Sequence, residues 1–185
     1  EMFTEAGMPR EAYEGFWQML QQITKKRLQL MQQSTDKSQM AMGMTFNVYH
    51  DNQGVEKILP LDLVPRIITG QEWDTIERGL IQRIEALNLF IDDVYHDQRI
   101  IKEGIVPEDL VLGNHDYLEA CQGLNPPNGV WCHISGSDIV RDKDGDFYVL
   151  EDNLRCPSGV SYLLENREII KQVFPGLFGQ LGVRP

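Results

Sequence analysis

Residues 136–155 read GSDIVRDKDGDFYVLEDNLR, and this stretch decides the fold because two strand-like runs flank an acidic turn. Asp144-Gly145 is a favourable two-residue hairpin turn and predicts an antiparallel pair of strands. The register that follows places Asp138 directly opposite Glu151, with both side chains on one face of the hairpin. A four-residue loop also leaves the two carboxylates on one face, whereas a three-residue loop would put them on opposite faces.

The facing carboxylates indicate a cation, because like charges directly opposite each other on a ladder repel. Asn153 lies two residues beyond Glu151 and shares its face. Oxygens of Asp138, Glu151 and Asn153 therefore predict a Mg²⁺ site, since Mg²⁺ commonly bridges carboxylates to substrate phosphates. An exposed hairpin end with solvated acids is the alternative, and the spacing alone leaves both open. An EF-hand Ca²⁺ loop starting at Asp142 is disfavoured, because Phe147 stands where that loop needs Gly.

The loop after this hairpin predicts an anion site. Arg155 provides a planar fork of donors for phosphate or carboxylate. Ser158 and Gly159 lead into a predicted helix, whose N-terminus offers free N–H groups and a Ser cap. The alternative is an ordinary capped helix with a solvated arginine. Because the loop directly follows the carboxylates, we favour a role for all three residues in binding phosphate.

Periodicity and turn signals predict the other elements. They are helices at about 10–33, 70–95 and 159–173 and strands at 45–50, 55–60 and 130–135. The Gln-, Ser- and Met-rich stretch 29–44 is expected to fray into a loop. Helices mixed with short strands and hairpins predict an α+β or mixed α/β fold, with a mainly antiparallel sheet and flanking helices.

Composition excludes several classes of protein. With 42% hydrophobic and 24% charged residues, the chain is neither disordered nor of low complexity. Its formal net charge of −11 argues against nucleic-acid binding, which needs a basic surface. No apolar run is long enough to span a membrane, and residues 1–30 carry no signal-peptide pattern. The 3 cysteines have no CxxC spacing, which predicts reduced thiols in a cytoplasmic protein.

Several stretches together resemble the circularly permuted ATP-grasp proteins, which are relatives of glutathionylspermidine synthase and are often uncharacterised. The resemblance covers nearly the whole chain, and the last of its stretches is highly specific. They are EMF (1–3), GMTFNVY (43–49), PRII (65–68), ALNLFIDDVYHD (86–97) and VLEDNLRCPSGVSY (149–162).

This resemblance implies a permuted ATP-grasp fold and an ATP-dependent ligase that joins a small-molecule carboxylate to an amine through an acyl phosphate. By motif match, it implies that Asp138, Glu151 and Asn153 hold Mg²⁺ ions bridging the phosphates of ATP. Arg155 would lie near the transferred phosphoryl group or the acyl phosphate. Charge neutralisation and positioning are most of phosphoryl-transfer catalysis.

The resemblance also implies a division of the chain. Residues 1–44 would be an N-terminal helical segment and residues 45–185 the metal-binding portion of the permuted domain, together forming one structural unit. No Gly-rich basic phosphate loop occurs in the sequence, so we expect residues 1–185 to be a portion of a longer protein and inactive alone. The alternatives are a non-catalytic ATP-grasp-like module that acts as a partner-binding scaffold, and a cation-stabilised structural domain. The sequence leaves the oligomeric state open and is compatible with a homo-oligomer.

Overall fold

The computed structural model of the chain describes residues 2–50 and 53–184. The α-helices of this part are α1 (Glu14–Gln21), α2 (Lys25–Ala41), α3 (Gly70–Tyr95), α4 (Arg99–Lys102), α5 (Glu108–Val111), α6 (Gly159–Val173) and α7 (Leu177–Gln180). The strands are β1 (Thr45–His50), β2 (Gln53–Ile58), β3 (Gly136–Arg141) and β4 (Phe147–Asn153). They form two antiparallel two-stranded sheets, β1–β2 and β3–β4. The mixed helix-and-sheet fold with small antiparallel sheets is the one that the sequence predicts.

The chain folds as two compact units. The first unit contains residues 1–69 and 158–185, and the second contains residues 70–157. The domain boundary that the sequence predicts after residue 44 concerns the whole protein and stays a prediction. The two compact units meet at other positions, after residues 69 and 157.

The prediction of a single helix over residues 10–33 is wrong, because the helix is interrupted between α1 and α2. Thr24 adopts an extended backbone conformation there. Its hydroxyl oxygen accepts a hydrogen bond from the backbone N–H of Arg27 at 3.2 Å. A threonine at this position caps a new helix, since it satisfies one of the N–H groups that lack an intrahelical partner.

The loop predicted over residues 29–44 is also wrong, because α2 continues to Ala41. Two of its polar residues, Thr35 and Gln39, are buried by tertiary packing. Gln39 is fully buried and donates a hydrogen bond from Nε2 to the carbonyl oxygen of Leu59 at 2.8 Å. Thr35, one helical turn earlier on the same face, is 1% exposed. Composition alone therefore underestimates this helix.

The first unit has a compact hydrophobic core. Rings of Phe16 and Phe174 meet edge to face with their centroids 5.6 Å apart, a favourable aromatic geometry. The buried residues of this cluster are Phe16, Leu63, Ile170, Phe174 and Leu177. The core thus joins α1 to α6 and α7 from the other end of the chain.

The first predicted hairpin is confirmed, although its second strand covers Gln53–Ile58 rather than residues 55–60. Strands β1 and β2 pair in antiparallel register, with Thr45 opposite Ile58 and His50 opposite Gln53. The turn residues Asp51 and Asn52 lie outside the described residues.

In the second unit, the long helix α3 is confirmed at the predicted limits. Its apolar stripe is thinly covered, because only Ile76 and Val94 are buried among the described residues of this unit. A groove of about 1080 Å³ runs between α3 and the β3–β4 hairpin, with Leu80, Ile139 and Phe147 among the residues that line it. Helix α3 and the hairpin therefore approach each other without forming a closed core.

The strand predicted over residues 130–135 is wrong. No strand pairs with this stretch in the described part of the chain, and the side chain of Asn88 on α3 binds the backbone at its start instead. The Oδ1 atom of Asn88 accepts from the N–H of Trp131, and its Nδ2 donates to the carbonyl of Gly129, both at 2.8 Å. His133 is consequently exposed and lies outside any strand.

The end of α3 is fixed by a pair of aspartates. Oδ1 and Oδ2 of Asp93 accept from the backbone N–H groups of Arg99 and Ile100, each at 2.9 Å, and thereby cap α4. The hydrogen bond from Ile100 is the main reason that the pKa of Asp93 lies below its ordinary value. Asp92 accepts from the indole nitrogen of Trp131 at 2.9 Å. Both carboxylates thus organise the turn after α3.

Across residues 2–50 and 53–184, none of the helices combines the length and the apolar character needed to cross a lipid bilayer.

Candidate functional site

The β3–β4 hairpin is closed by a three-residue loop, so the predicted two-residue turn is wrong. The N–H of Asp142 donates to the carbonyl of Asp146 at 2.9 Å, which leaves residues 143–145 as the loop. Oδ1 of Asp142 accepts from the N–H groups of Asp144 and Asp146, both at 2.9 Å. Gly145 has a φ of +95°, which suits a glycine. The acidic turn is therefore shaped by its own backbone N–H groups.

A β-bulge then restores the pairing that the sequence predicts. Ile139 lies opposite Val149, but the next pair along the ladder is Asp138 opposite Glu151. Leu150 is the extra residue. A three-residue loop followed by a regular ladder would have put Leu150 opposite Asp138, and Glu151 would have pointed to the other face. The predicted facing of Asp138 and Glu151 is thus confirmed, for a different reason.

The exposed face of the hairpin carries the three predicted metal ligands. Side chains of Asp138, Glu151 and Asn153 are all exposed on β3 and β4. Nδ2 of Asn153 donates a hydrogen bond to Oε1 of Glu151 at 3.1 Å. Asn153 itself lies opposite Gly136, where a side chain would come within 2.9 Å of Pro157. The glycine therefore leaves room for the chain to turn away after Asn153.

The opposite face of the hairpin is half-buried beside α3 and holds a charged network. Asp152, between Glu151 and Asn153 in sequence, has a side chain that is only 7% exposed. Its Oδ1 accepts from the hydroxyl of Ser137 at 2.7 Å, and its Oδ2 accepts from Nε of Arg83 at 2.6 Å. Burial raises the pKa of Asp152, but the bonds from Ser137 and Arg83 outweigh it, so the pKa lies below its ordinary value.

A second ion pair joins the same elements at the turn end of the hairpin. Nη2 of Arg141 lies 2.9 Å from Oε1 of Glu72 on α3. The guanidinium of Arg141 also stacks over the ring of Phe147, with 4.8 Å between its Cζ and the ring centroid. Helix α3 therefore holds the hairpin at both ends, with the groove between them.

Arg155 lies just beyond β4 in the second unit. Its side chain is 83% exposed, and its Nη1 lies 3.9 Å from Oδ1 of Asp116. An exposed pair at this distance contributes little stability. The guanidinium is therefore placed near the strand end without being fixed to a buried partner.

Ser158 and Gly159 belong to the first compact unit, whereas the carboxylates belong to the second. The predicted helix start at Gly159 is confirmed, but the predicted Ser158 cap is wrong. Ser158 already has helical backbone angles, with φ −76° and ψ −26°, and its side chain makes no capping bond within the described structure. An N-cap normally needs an extended backbone for its oxygen to reach back. The hydroxyl of Ser161 donates to the carbonyl of Ser158 at 2.8 Å.

The donor set fits a hard cation. Two carboxylates and one amide oxygen are ligands that Mg²⁺ accepts, and their exposure leaves space for phosphate and water. In the described part of the chain, no three side chains of His, Cys, Asp and Glu cluster as a metal site. In the set Asp138, Glu151 and Asn153, only Asp138 and Glu151 are of these types, and the amide of Asn153 would be the third ligand.

Sequence reasoning missed the network of Asp152, Ser137 and Arg83. The signal was available in part: Asp152 alternates with Glu151 and Asn153, so it must point to the face that a sheet buries. A charged residue on a buried face requires a partner of opposite charge. What the sequence could not supply is the position of Arg83, which lies 69 residues earlier on α3.

Comparisons with known proteins give a consistent picture. A family model described as circularly permuted ATP-grasp type 2 matches residues 65–185. An uncharacterized protein of Synechocystis sp. is 46% identical over 185 residues, which are 100% of this chain and 38% of the relative. An uncharacterized protein of Mycobacterium tuberculosis is 42% identical over 184 residues, 100% of this chain and 33% of the relative.

A more distant match carries a functional name. A Frankia casuarinae protein named "Putative glutamate--cysteine ligase 2-2" is 32% identical over 183 residues, which are 99% of this chain and 21% of that protein. The chain thus spans less than two fifths of the length of each of these relatives.

Proposed function

The chain belongs to the circularly permuted ATP-grasp type 2 family, and on this premise we propose that the full-length protein is an ATP-dependent ligase joining a small-molecule carboxylate to an amine. The observation that carries the proposal is the bulged hairpin. It pairs Asp138 with Glu151 and brings Asn153 within hydrogen-bond distance of Glu151, all on one exposed face.

Asp138, Glu151 and Asn153 would hold Mg²⁺ at the phosphates of ATP. When bound, Mg²⁺ neutralises phosphate charge and holds the phosphates in line for transfer. The carboxylates of Asp138 and Glu151 supply the negative charge that attracts the cation, and the amide of Asn153 supplies a neutral oxygen. Because the hydrogen bond from Asn153 orients Glu151, these two side chains are arranged before the cation arrives.

The reaction has two steps. An oxygen of the substrate carboxylate attacks the γ-phosphorus of ATP, and ADP leaves to give an acyl phosphate. The amine nitrogen then attacks the acyl carbon, inorganic phosphate leaves, and the nitrogen loses a proton. The guanidinium of Arg155 would bind the transferred phosphoryl oxygens, for which its exposure and planar donors are suited. Ser158 and Gly159, with the free N–H groups at the start of α6, would bind a phosphate oxygen.

Two similarities support the proposal of amino-acid-like substrates. Frankia relatives that are 32% and 34% identical carry the name of a glutamate--cysteine ligase, whose substrates offer one carboxylate and one amine. The resemblance to glutathionylspermidine synthase points to the same type of bond. Three cysteines without disulfides agree with a reducing, cytoplasmic setting for such chemistry.

Isothermal titration of the full-length protein with Mg²⁺–ATP tests the proposal. Glu151→Gln keeps an oxygen that can accept the bond from Asn153 but removes one charge of the metal site. We expect it to weaken Mg²⁺–ATP binding by about 10-fold or more. Asp144→Asn is the matched control, because it removes an exposed carboxylate from the loop of the same hairpin. Equal affinities in the wild type, the variant and the control would contradict the metal role.

The alternative is a non-catalytic module that serves as a partner-binding scaffold. The open groove beside α3 favours it, because many side chains of the second unit are left uncovered. Release of phosphate by the full-length protein that requires both a carboxylate and an amine would rule the scaffold out.

A further inference from the structure

Two registers that differ by one residue are compatible with the β3–β4 hairpin. Only one of them puts Asp138, Glu151 and Asn153 together on the exposed face, which we call the metal face. The three-residue loop alone favours a regular ladder, in which Leu150 lies opposite Asp138 and Glu151 lies opposite Ser137. In that ladder Glu151 would point towards α3 and Asp152 towards solvent. The observed register instead contains a bulge, which leaves one residue out of the ladder.

A favourable interaction must therefore select the bulged register. Beyond the bulge, on the side away from the turn, the contacts that depend on the register lie on the face turned towards α3. Ser137 can bond Asp152 across the ladder only when these two residues are directly opposite each other, as they are here. Arg83 adds a 2.6 Å ion pair to the same carboxylate, which is 7% exposed and needs that charge.

From these contacts we infer that Asp152, Ser137 and Arg83 are positioning residues for the metal site. They hold the bulged register, and the bulged register turns Glu151 and Asn153 to the face of Asp138. None of the three touches the reacting groups. The inference rests on the proposed function, because it assigns these residues a role in building the same Mg²⁺ site.

The geometry also predicts the effect of replacing Asp152 with a neutral residue. The side chain of Arg83 is 46% exposed and stays beside the inward face of the hairpin, where it attracts a carboxylate that points towards it. In the slipped register the inward-pointing carboxylate is that of Glu151. Arg83 can therefore pair with Glu151 in the slipped register, and removing Arg83 as well would not restore the bulge, because the loop by itself favours the regular ladder.

Mg²⁺ titration of the full-length protein with ATP present tests this directly. Asp152→Asn should raise the apparent Mg²⁺ dissociation constant by about 10-fold or more. Arg83→Met alone should raise this constant in the same direction, and adding Arg83→Met to Asp152→Asn should recover none of the loss, because the double variant lacks the contacts that select the bulge. Glu72→Gln is the matched control, since it removes a carboxylate that also joins α3 to the hairpin, but at the turn end, where both registers are the same. It should change the Mg²⁺ constant by less than about 2-fold.

The outcomes separate the inference from the proposed function. If Glu151→Gln leaves Mg²⁺ binding unchanged, the proposed function fails. If Glu151→Gln weakens binding but Asp152→Asn does not, only the positioning role is overturned. A double variant that regains the wild-type affinity, or a control that loses as much affinity as Asp152→Asn, would overturn the positioning role. Melting temperatures of each variant confirm that the compared proteins are folded.

Discussion

Deleting Leu150 should leave the fold and the metal face intact, although a deletion inside a strand usually disrupts a sheet. Leu150 is the extra residue of the bulge, so its removal places Glu151 next to Val149 along β4. With the three-residue loop, a regular ladder then puts Glu151 directly opposite Asp138. The variant reaches by a regular ladder the pairing that the natural chain reaches by a bulge.

The expected change in stability follows from the exposure of Leu150. Its side chain is 67% exposed, so about one third of a full burial is lost, or about 0.5–1 kcal/mol. Closing the bulge can add one backbone hydrogen bond, which contributes about 0.5–1.5 kcal/mol. The two effects nearly cancel. We therefore expect the free energy of unfolding to change by less than about 1 kcal/mol.

Urea unfolding of the full-length protein, followed by Mg²⁺ titration with ATP, measures both consequences. The matched control is deletion of Ile139 on the partner strand, which has a regular partner in Val149. That deletion moves Asp138 to an inward-facing position, and Mg²⁺ binding should be lost. If deletion of Leu150 costs more than about 3 kcal/mol, or abolishes Mg²⁺ binding as the control does, the register argument is wrong.

Three further predictions concern the rest of the chain. Phe16→Ala should destabilise the first unit by about 3–5 kcal/mol in denaturant unfolding, because the ring is fully buried in the core. Thr35→Val should stabilise it by about 1 kcal/mol, because the buried hydroxyl has no hydrogen-bond partner in the described structure and valine has a similar shape. Asp93 has a lowered pKa, so its cap on α4 should hold above the ordinary carboxyl value of 3.8 and weaken as the pH falls through the lower folded value. The protection factors of the Arg99 and Ile100 amides against hydrogen exchange should fall there. Asp93→Asn should remove this pH dependence of the protection factors. Each prediction has a result that would contradict it. These results are an unchanged denaturant midpoint for Phe16→Ala, a lower stability for Thr35→Val, and protection factors that do not change with pH in the wild type.

Elements with strong local signals were predicted well from the sequence. The stripe of α3 and the start of α6 are read from spacing alone, and both helices lie at their predicted limits. The facing of Asp138 and Glu151 was also predicted correctly. Local pattern suffices for the two helices because the deciding interactions lie within a few residues of each other in the chain. The facing pair, by contrast, was predicted from a two-residue turn that does not form, and the bulge restores it.

The errors arise where a distant side chain or a backbone group decides the structure. Residues 130–135 have the composition of a strand, but Asn88 on α3 binds the backbone of Trp131 and of the preceding Gly129. The tail of α2 looks like a loop, but Gln39 is buried against Leu59. The length of the β3–β4 loop depends on how Asp142 bonds the backbone, which pattern and periodicity do not encode.

The central claim is that three side chains of one hairpin face bind a divalent cation at the phosphates of ATP. Anomalous diffraction from crystals of the full-length protein with Mn²⁺ in place of Mg²⁺ and a non-hydrolysable ATP analogue locates the ion directly. The account predicts a manganese peak ligated by oxygens of Asp138, Glu151 and Asn153. A peak at the acidic loop around Asp142, or one bound by other residues with this face free of metal, would contradict it.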